Sequence, residues 1–248
     1  MNIGIIVATD EELIEIKNIM DSYEEKDIYE LTFVKGKING KKVIAVKCWV
    51  GKVNAARTTQ ILINNFKLSK IINIGAAGGI NPELKIQDIV IGEKLVQYDF
   101  DISSAGDYEK GEIQGVGKFI RSDVELINIC KRVLENRVEK NVNIIIGTIA
   151  TADIFCSDPE VAKKAREEFG AECVEMEGAS IAQVCYLDKV PFLVIRGISD
   201  TPNGHNQMDY YTYSHIAAKH AAEFLQDLLW EDIDWWRLVK KNYYILQI

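Results

Sequence analysis

Short apolar runs alternate with amphipathic stretches along most of the chain. Residues 3–8 are apolar and predict a β-strand, and the acidic turn that follows begins a helix predicted to extend to about Met20. Further strands are predicted at 71–74, 88–91, 143–148 and 192–195, and further helices at 53–65, 123–135, 159–169, after Met176 and at 210–229. Because the strand runs are apolar on both faces, we expect helices on both sides of the sheet. The pattern predicts a three-layer α/β/α single domain.

A hairpin interrupts this alternation near the N-terminus. The β-rich stretches 29–37 and 42–50 flank an Asn39-Gly40 pair, which is the strongest short signal for a two-residue hairpin turn. The central sheet is therefore expected to be mixed.

Two segments lack a clear hydrophobic periodicity. Residues 98–119 are rich in Gly, Asp and Ser and predict a long loop, and loops of that length are often functional. After Leu229 the chain changes character and carries the pair Trp235 and Trp236, which would be costly to expose. We assign residues 1–229 to the domain and expect the extension 230–248 to pack on it or on a partner subunit.

Composition narrows the classes of function. The 248 residues include 29 Lys and Arg and 37 Asp and Glu, for a net charge of −8. Basic residues never cluster beyond pairs, which argues against nucleic acid as a partner. No apolar run is long enough for a membrane span, and no signal peptide is recognisable. We expect a cytoplasmic protein with no membrane partner.

Metal and cofactor motifs are missing from the sequence. The five cysteines are scattered without a C-x-x-C pair and are expected to be buried fillers, and the three histidines lack zinc-ligand spacing. We therefore predict neither a metal nor an organic cofactor.

Polar residues follow several predicted strands, where ligands gather in α/β sheets. These strand-end segments are 10–12, 75–79, 151–155 and 196–200. Each has a structural alternative as well. Acids at a helix start interact favourably with its dipole, the glycine turn matches neither G-x-G-x-x-G nor a P-loop, and Asp200 could cap the next turn.

Two carboxylates flank Met176 in an otherwise apolar neighbourhood. If this segment is extended, Glu175 and Glu177 lie on the same face, whereas in a helix they diverge. Buried acids need partners, and a ligand with hydroxyl groups or Arg196 could supply them.

These segments together resemble a known family. Residues 4–8 with 11–12, 50–56, 73–79, 174–177 and 196–200 are similar, in order and spacing, to the 5′-methylthioadenosine/S-adenosylhomocysteine nucleosidases of the purine nucleoside phosphorylase superfamily. The resemblance covers about residues 1–229. It implies a homodimer that cleaves the N-glycosidic bond of a small purine nucleoside without metal or cofactor.

The resemblance also implies catalytic roles. Asp200 matches the general acid that protonates N7 of the leaving adenine, which requires that burial keep a proton on it near neutral pH. Glu12 matches the residue that activates water. Glu177 matches the acid that binds the ribose hydroxyls, with Met176 packed beside the sugar. Arg196 would orient the carboxylates on the side of the water, and we place Glu175, with Arg196, among the substrate-binding residues.

Further binding residues follow from the same resemblance. Phe155 would stack on adenine, the backbone of Cys156 would contact the base edge, and Ser199 would hold Asp200. The 5′ substituent would lie among the side chains of Val50, Ile102 and Tyr210, with Thr9 nearby. Plain core packing is the alternative for Val50 and Ile102.

Two positions depart from the family pattern. Ala76 stands where a serine near the water is common, so one hydroxyl that holds the water is absent. Ala105 lies where the family can present an aromatic side chain across the dimer interface. These departures leave open whether a methylthio, homocysteinyl, deoxy or futalosine-type 5′ group is preferred.

Two other functions are compatible with the fold. A nucleoside phosphorylase would use phosphate as the nucleophile, but it needs an anion pocket with arginine, and no arginine follows the first strand or the glycine turn. A nucleoside-binding protein without catalysis would have no use for a proton donor opposite a water-activating base. We therefore favour the hydrolase.

Overall fold

The predicted alternation is present in the computed structural model, which describes residues 1–137, 142–202 and 206–231. The described strands are β1 (Asn2–Val7), β2 (Ser22–Ile28), β3 (Leu31–Ile38), β4 (Lys41–Lys47), β5 (Leu68–Gly79), β6 (Ile89–Gln97), β7 (Ile120–Arg121), β8 (Ile144–Thr151), β9 (Ala171–Glu175) and β10 (Phe192–Asp200). The described α-helices are α1 (Asp10–Asn18), α2 (Lys52–Asn65), α3 (Val124–Asn136), α4 (Pro159–Phe169), α5 (Gly178–Leu187) and α6 (Asn206–Glu231).

The strands form one mixed sheet, part of which closes on itself. β5 pairs with β10, β10 with β6, β6 with β8, β8 with β9, and β9 with β5. β1 pairs with the outer side of β5, and β4, β3 and β2 continue the sheet from there. This topology confirms the predicted mixed sheet.

Strand closure brings several carboxyl ends to one place. Asp200 pairs with Gly78, Gly78 with Val174, and Thr151 with Glu175. β9 is antiparallel to β5, but the two strands overlap only at their last residues. Chemistry-bearing residues at four strand ends therefore become neighbours.

Helices cover both faces of the sheet. Apolar side chains of α1, α3 and α6 pack on one face, and those of α2 and α5 pack on the other. Helix α4 packs beside β8 and β9 through Ala162, Ala165 and Phe169. The three-layer prediction is confirmed, since helices and sheet share two apolar interfaces.

The hairpin prediction is confirmed, whereas β2 escaped prediction. Asn39 and Gly40 form the turn between β3 and β4, with φ angles of 51° and 74°. β2 pairs with β3, but its side chains are exposed on both faces until Ile28. Such a strand carries no hydrophobic alternation, so its sequence gives no strand signal.

The irregular segments agree with expectation as far as they are described. The loop between β6 and β7 contains a short 3₁₀ helix, Ser103–Ala105. Helix α6 continues through Trp230 and Glu231, and the rest of the predicted C-terminal extension lies outside the described residues. All five cysteines lie within the described ranges; they are buried, and none is in a disulfide. Among the described helices, none is both long and apolar enough to span a bilayer.

Candidate active site

A cavity of about 580 Å³ lies where the strand ends meet. The predicted site residues that line it are Thr9, Glu12, Val50, Ala76, Phe155, Cys156, Glu175, Met176, Glu177, Ser199, Asp200 and Tyr210. Segments far apart in the sequence thus converge on one concave surface, as expected of a ligand site.

Glu12 is held in the cavity wall by backbone amides. It is the third residue of α1, and Thr9 caps the helix by accepting from the Glu12 N–H. The Glu12 Oε2 atom accepts from the N–H groups of Ala8 and Thr9 at 2.6 and 3.1 Å. Oε1 accepts from the Ala76 N–H at 3.0 Å. These donors fix the carboxylate and stabilise its charge.

Arg196 lies beneath the cavity wall. The structure does not place it among the lining residues, and it is 1% exposed. Its Nη2 donates to Glu175 and to Asn73 Oδ1, the latter at 2.7 Å, and lies 3.4 Å from Glu177 Oε2. Arg196 therefore holds the two acids from below, as the sequence suggested.

Glu175 is saturated by protein donors. Besides Arg196, its carboxylate accepts from the Thr151 hydroxyl and from the N–H groups of Glu177 and Gly178. Although Glu175 reaches the cavity, its oxygens are occupied by the fold. This arrangement makes it a residue that positions Arg196 and the start of α5.

The absence of a side chain at position 75 makes room for this cluster. Gly75 on β5 pairs with Arg196 on β10. A Cβ atom at position 75 would collide with the Arg196 guanidinium and lie 2.7 Å from Glu12 Oε1. The glycine turn, whose role was open from sequence, therefore allows Glu12 and Arg196 to approach each other across the strand.

Asp200 and Ser199 end β10 at the opposite wall. Both are buried, and the Ser199 hydroxyl donates to Asp200 Oδ1 at 2.7 Å. Gly78 lies alongside, where a Cβ atom would be 3.3 Å from Asp200 Oδ2. The predicted contact between Ser199 and Asp200 is present, and both residues face the cavity.

Aromatic side chains form the outer wall. Phe155 and Tyr210 meet edge to face with ring centroids 5.6 Å apart, and Tyr211 continues the cluster. Cys156 lines the cavity beside them, and burial raises the pKa of its thiol. Such a thiol stays protonated at neutral pH, so it is a poor nucleophile.

Some lining residues were missed from the sequence, and Ile102, like Arg196, is a predicted site residue outside the lining. Ile154, Ser157, Gln207 and Tyr211 also line the cavity, and only their proximity to Phe155 and Tyr210 along the chain could have indicated them. Ile102 is not among the lining residues; it is the N-cap residue of the 3₁₀ helix in the long loop. Its contact with the 5′ group stays a prediction.

Comparison with known proteins identifies the family. The model of the phosphorylase superfamily matches residues 2–231. The chain belongs to the phosphorylase superfamily. A 5′-methylthioadenosine/S-adenosylhomocysteine nucleosidase of Bacillus thuringiensis (strain Al Hakam) is 34% identical over 232 residues, covering 93% of this chain and 99% of the relative. The resemblance inferred from the motifs is confirmed, and the chain is a member of this nucleosidase family of N-glycosyl hydrolases.

Solved structures agree in fold. The Helicobacter pylori nucleosidase has a TM-score of 0.88 and 32% identity, covering 93% of this chain and 98% of its own. It was solved with an aminopyrrolopyrimidine joined to a pyrrolidinol that carries a propynylthiomethyl group. A futalosine hydrolase of the same organism has a TM-score of 0.87 and 33% identity, covering 93% of this chain and 98% of its own.

The cavity of this protein is strongly acidic. Glu12, Glu175, Glu177 and Asp200 line it, and among the described lining residues there is no lysine, arginine or histidine. Burial raises the pKa of Glu177 above that of an ordinary glutamate, although Arg196 and the Gly51 N–H act in the opposite direction. The folded chain therefore favours a proton on Glu177.

We expect Glu177→Gln to gain stability relative to the wild type as pH rises. A carboxyl whose pKa is higher in the folded than in the unfolded chain favours folding at low pH. That contribution is lost as pH rises from the unfolded pKa toward the folded one. The glutamine has no such loss, so the difference in unfolding free energy should grow to about 1 kcal/mol or more.

Urea unfolding between about pH 5 and pH 8 measures this difference. The control is Glu160→Gln, since Glu160 is an exposed glutamate in the first turn of α4. Its difference in unfolding free energy from the wild type should not change with pH. If the difference in unfolding free energy between Glu177→Gln and the wild type also stays constant with pH, the raised pKa of Glu177 is contradicted.

Proposed function

We propose that this protein hydrolyses the N-glycosidic bond of 5′-methylthioadenosine and S-adenosylhomocysteine, releasing adenine and the thioribose. The observation that carries the proposal is the convergence of Glu12, Glu177 and Asp200 on one cavity, each in a different hydrogen-bond environment. Such separation lets acids at one site take different roles. The curated relatives in the nucleosidase family support the same reaction.

The proposed reaction uses each acid once. Asp200 donates its proton to N7 of adenine as the bond from N9 to C1′ of the ribose breaks. A water molecule adds to C1′ and passes its proton to Glu12. The positive charge that develops on the ribosyl group is stabilised by the surrounding carboxylates. Glu177 accepts from the ribose hydroxyls.

The remaining side chains would position the nucleoside. Phe155 offers a ring face to the base. Met176 lines the cavity between Glu175, the last residue of β9, and Glu177, the N-cap residue of α5. Val50 and Tyr210 line an apolar part of the cavity that suits a thioether, with Thr9 nearby. An apolar thioether contact lowers the free energy of the complex by removing carbon and sulfur surface from water.

Charge at the nucleophile site favours water over phosphate. Glu12 is the base of the proposed mechanism, and Arg196, beneath the cavity wall, is covered by Glu175 and Glu177. Among the described lining residues there is no cation that could bind phosphate. A phosphate dianion would meet carboxylates at the place where it must attack.

We expect adenine release from 5′-methylthioadenosine in phosphate-free buffer, at a rate that added phosphate leaves unchanged. The sugar product should be free methylthioribose, identified by mass spectrometry. Release that requires phosphate and yields the sugar 1-phosphate would replace the hydrolase by the phosphorylase. The same assay with S-adenosylhomocysteine, 5′-deoxyadenosine and a futalosine-type nucleoside, the last suggested by the solved hydrolase, defines the substrate range.

A homodimer accompanies this function in our proposal. Large apolar side chains close in sequence to lining residues are exposed, among them Trp49, Val53 and Met208 at 56%, 79% and 76%. We propose that these side chains form one apolar patch, which commonly marks an interface. A second subunit on this patch would bring the loop of Ala105 across the interface, as the resemblance expects.

We expect sedimentation equilibrium to give about twice the chain mass of 28.0 kDa. Val53→Glu places a charge on the patch, so it should shift the protein toward monomer. A carboxylate in the first turn of α2 also suits the helix dipole, so the monomer should remain folded by circular dichroism. Monomeric wild-type protein would contradict the dimer.

The proposed location is the cytoplasm. Five thiols without a disulfide suit a reducing compartment. Disulfide formation on isolation from intact cells under thiol-trapping conditions would contradict it.

A further inference from the structure

The N-terminus of α2 is capped by carboxylates from two distant segments. Its N-cap residue is Gly51, which has no side chain to accept from the first amides. The Gly51 N–H donates to Glu177 Oε1 at 3.0 Å, and the Lys52 N–H donates to Asp153 Oδ1 at 2.8 Å. Amides that a helix start leaves without intrahelical partners thus hold Glu177 of the cavity lining and Asp153 of the loop after β8.

Asp153 belongs to the loop that carries Phe155 and Cys156, and it is part of a closed set of hydrogen bonds. Its N–H donates to Asp99 Oδ2 at 3.0 Å. Asp99 Oδ1 in turn accepts from Lys52 Nζ at 2.7 Å. The contacts therefore run from the Lys52 backbone to Asp153, from Asp153 to Asp99, and back to the Lys52 side chain. We name Lys52, Asp99 and Asp153 the Lys52 ring.

The ion pair at the centre of this ring is shielded from water. The side chains of Lys52 and Asp99 are 17% and 19% exposed. Lys52 Nζ also donates to Gln97 Oε1 at 3.2 Å, and Gln97 Nε2 donates to Gln183 Oε1 on α5 at 2.8 Å. Charge-assisted hydrogen bonds in a partly buried setting are stronger and better ordered than those of exposed pairs.

The ring connects the two walls between which a nucleoside would lie. On one side, the Gly51 N–H fixes Glu177. On the other, Asp153 immediately precedes Ile154 and Phe155 of the outer wall. Gly51 itself has a φ of 102°, and a Cβ atom there would lie 3.2 Å from Asp153 Oδ1. The turn is therefore built for close approach of these two segments.

We propose that Lys52, acting through Asp99 and Asp153, is a positioning residue that sets the separation between the ribose-binding acid and the base-binding loop. The proposal rests on the nucleosidase function proposed above. Without the ammonium group, Asp99 loses the cation that orients it, so the Asp153 loop loses the link through Asp99 and keeps only the Lys52 N–H as a partner on α2. The nucleoside would then meet a wider, less ordered cavity, since small displacements of binding groups are costly in catalysis.

Kinetics of Lys52→Met, Asp99→Asn and the double variant test this role. We expect each single variant to raise KM for 5′-methylthioadenosine more than it lowers kcat, with a fall of about 10- to 100-fold in kcat/KM. The double variant should lose no more than the worse single variant, because both changes break the same contact. Lys52→Arg should recover part of the loss. Adenine affinity by calorimetry should weaken in parallel.

Lys118→Met is the matched control. Its Nζ lies 2.7 Å from Glu109 Oε2 and its side chain is 24% exposed, but it contacts no residue of the cavity lining or the Lys52 ring in the hydrogen bonds described. This variant should keep the kinetics and the adenine affinity of the wild type. Melting temperatures of all variants separate loss of fold from loss of positioning.

The outcomes separate the two proposals. An active wild type whose Lys52→Met and Asp99→Asn variants keep KM and adenine affinity within about two-fold would overturn the positioning role. Additive losses in the double variant would also overturn it. A wild type that releases no adenine from any nucleoside would refute the proposed function, while adenine affinity of the variants would still decide the role of Lys52. If Lys52→Met folds poorly, the nearly isosteric Asp99→Asn decides by the same criteria.

Discussion

Asp200→Asn is expected to lower adenine release from 5′-methylthioadenosine by about 10²- to 10⁴-fold, the range for loss of a general acid. Asparagine has nearly the same shape as aspartate, and its carbonyl can still accept from the Ser199 hydroxyl that now donates to Oδ1 at 2.7 Å. It cannot, however, supply a proton to N7 of adenine. Without that proton the base must leave as an anion, which is a far poorer leaving group.

Folding and ligand binding should survive this substitution. Asp200 is 3% exposed, and the proposed mechanism has it protonated before the reaction, so a neutral asparagine of nearly the same shape adds no buried charge. We expect the melting temperature to stay within a few degrees, about what 1 kcal/mol changes in a chain of this size. Adenine or the intact nucleoside should still bind by calorimetry.

Asp123→Asn provides the matched control for Asp200→Asn. Asp123 caps α3 by accepting from the Leu126 N–H, and its own N–H donates to Phe192 O at the opposite end of β10. The same chemical change there can weaken a helix cap but does not reach the cavity. Near-normal turnover in Asp200→Asn, or equal losses in both variants, would refute the proton-donor role.

Glu12→Gln is expected to reduce turnover by about 10²- to 10⁴-fold, because a neutral amide cannot take a proton from water. The loss should appear in kcat, since the water is activated after the nucleoside binds. The rate of adenine release at saturating 5′-methylthioadenosine measures it.

Stability should fall as well in Glu12→Gln. Three N–H groups, those of Ala8, Thr9 and Ala76, donate to the two carboxylate oxygens. A glutamine offers one oxygen and one NH₂ group, so at least one buried donor would face another donor. We expect a loss of about 1–3 kcal/mol, the usual cost of an unsatisfied buried polar group, measurable by urea unfolding.

Glu11→Gln is the control that distinguishes an effect on helix α1 from an effect on catalysis. Glu11 is the preceding residue in the first turn of α1 and is exposed. Its substitution removes the same charge from the helix N-terminus without touching the cavity. Turnover should therefore remain, and a comparable loss in Glu11→Gln would show that the effect of Glu12→Gln comes from α1 itself.

Local sequence signals were enough for much of the fold. The helix predicted at 159–169 is present as α4, and Asp158 caps it by accepting from the Glu160 N–H. The Asn39-Gly40 turn likewise formed as expected. Both depend on residues a few positions apart, where backbone geometry and capping act regardless of the rest of the chain.

Motif residues at strand ends identified the cavity but not the contacts inside it. Glu175 and Glu177 were left open between a structural and a ligand-binding role. The structure gives Glu175 four donors. Among the hydrogen bonds described, Glu177 accepts from the Gly51 N–H at Oε1 and, at 3.4 Å, from Arg196 at Oε2. Part of the difference comes from Thr151 on β8, which the pairing of β8 with β9 places beside Glu175.

The sequence by itself determined the helices, the hairpin and the strands other than β2, β7 and β9. It also determined the set of acids available for chemistry. These features follow from side-chain periodicity and local backbone preferences. Only the tertiary structure decided that Arg196 lies beneath the acids, that Asn73 helps to hold it, and that Asp153 caps a helix that begins 101 residues earlier. Those contacts join residues on strands and loops that closure of the sheet brings together. No local pattern encodes such a partner, since the environment of a buried polar group is set by the segments packed around it and not by its neighbours along the chain.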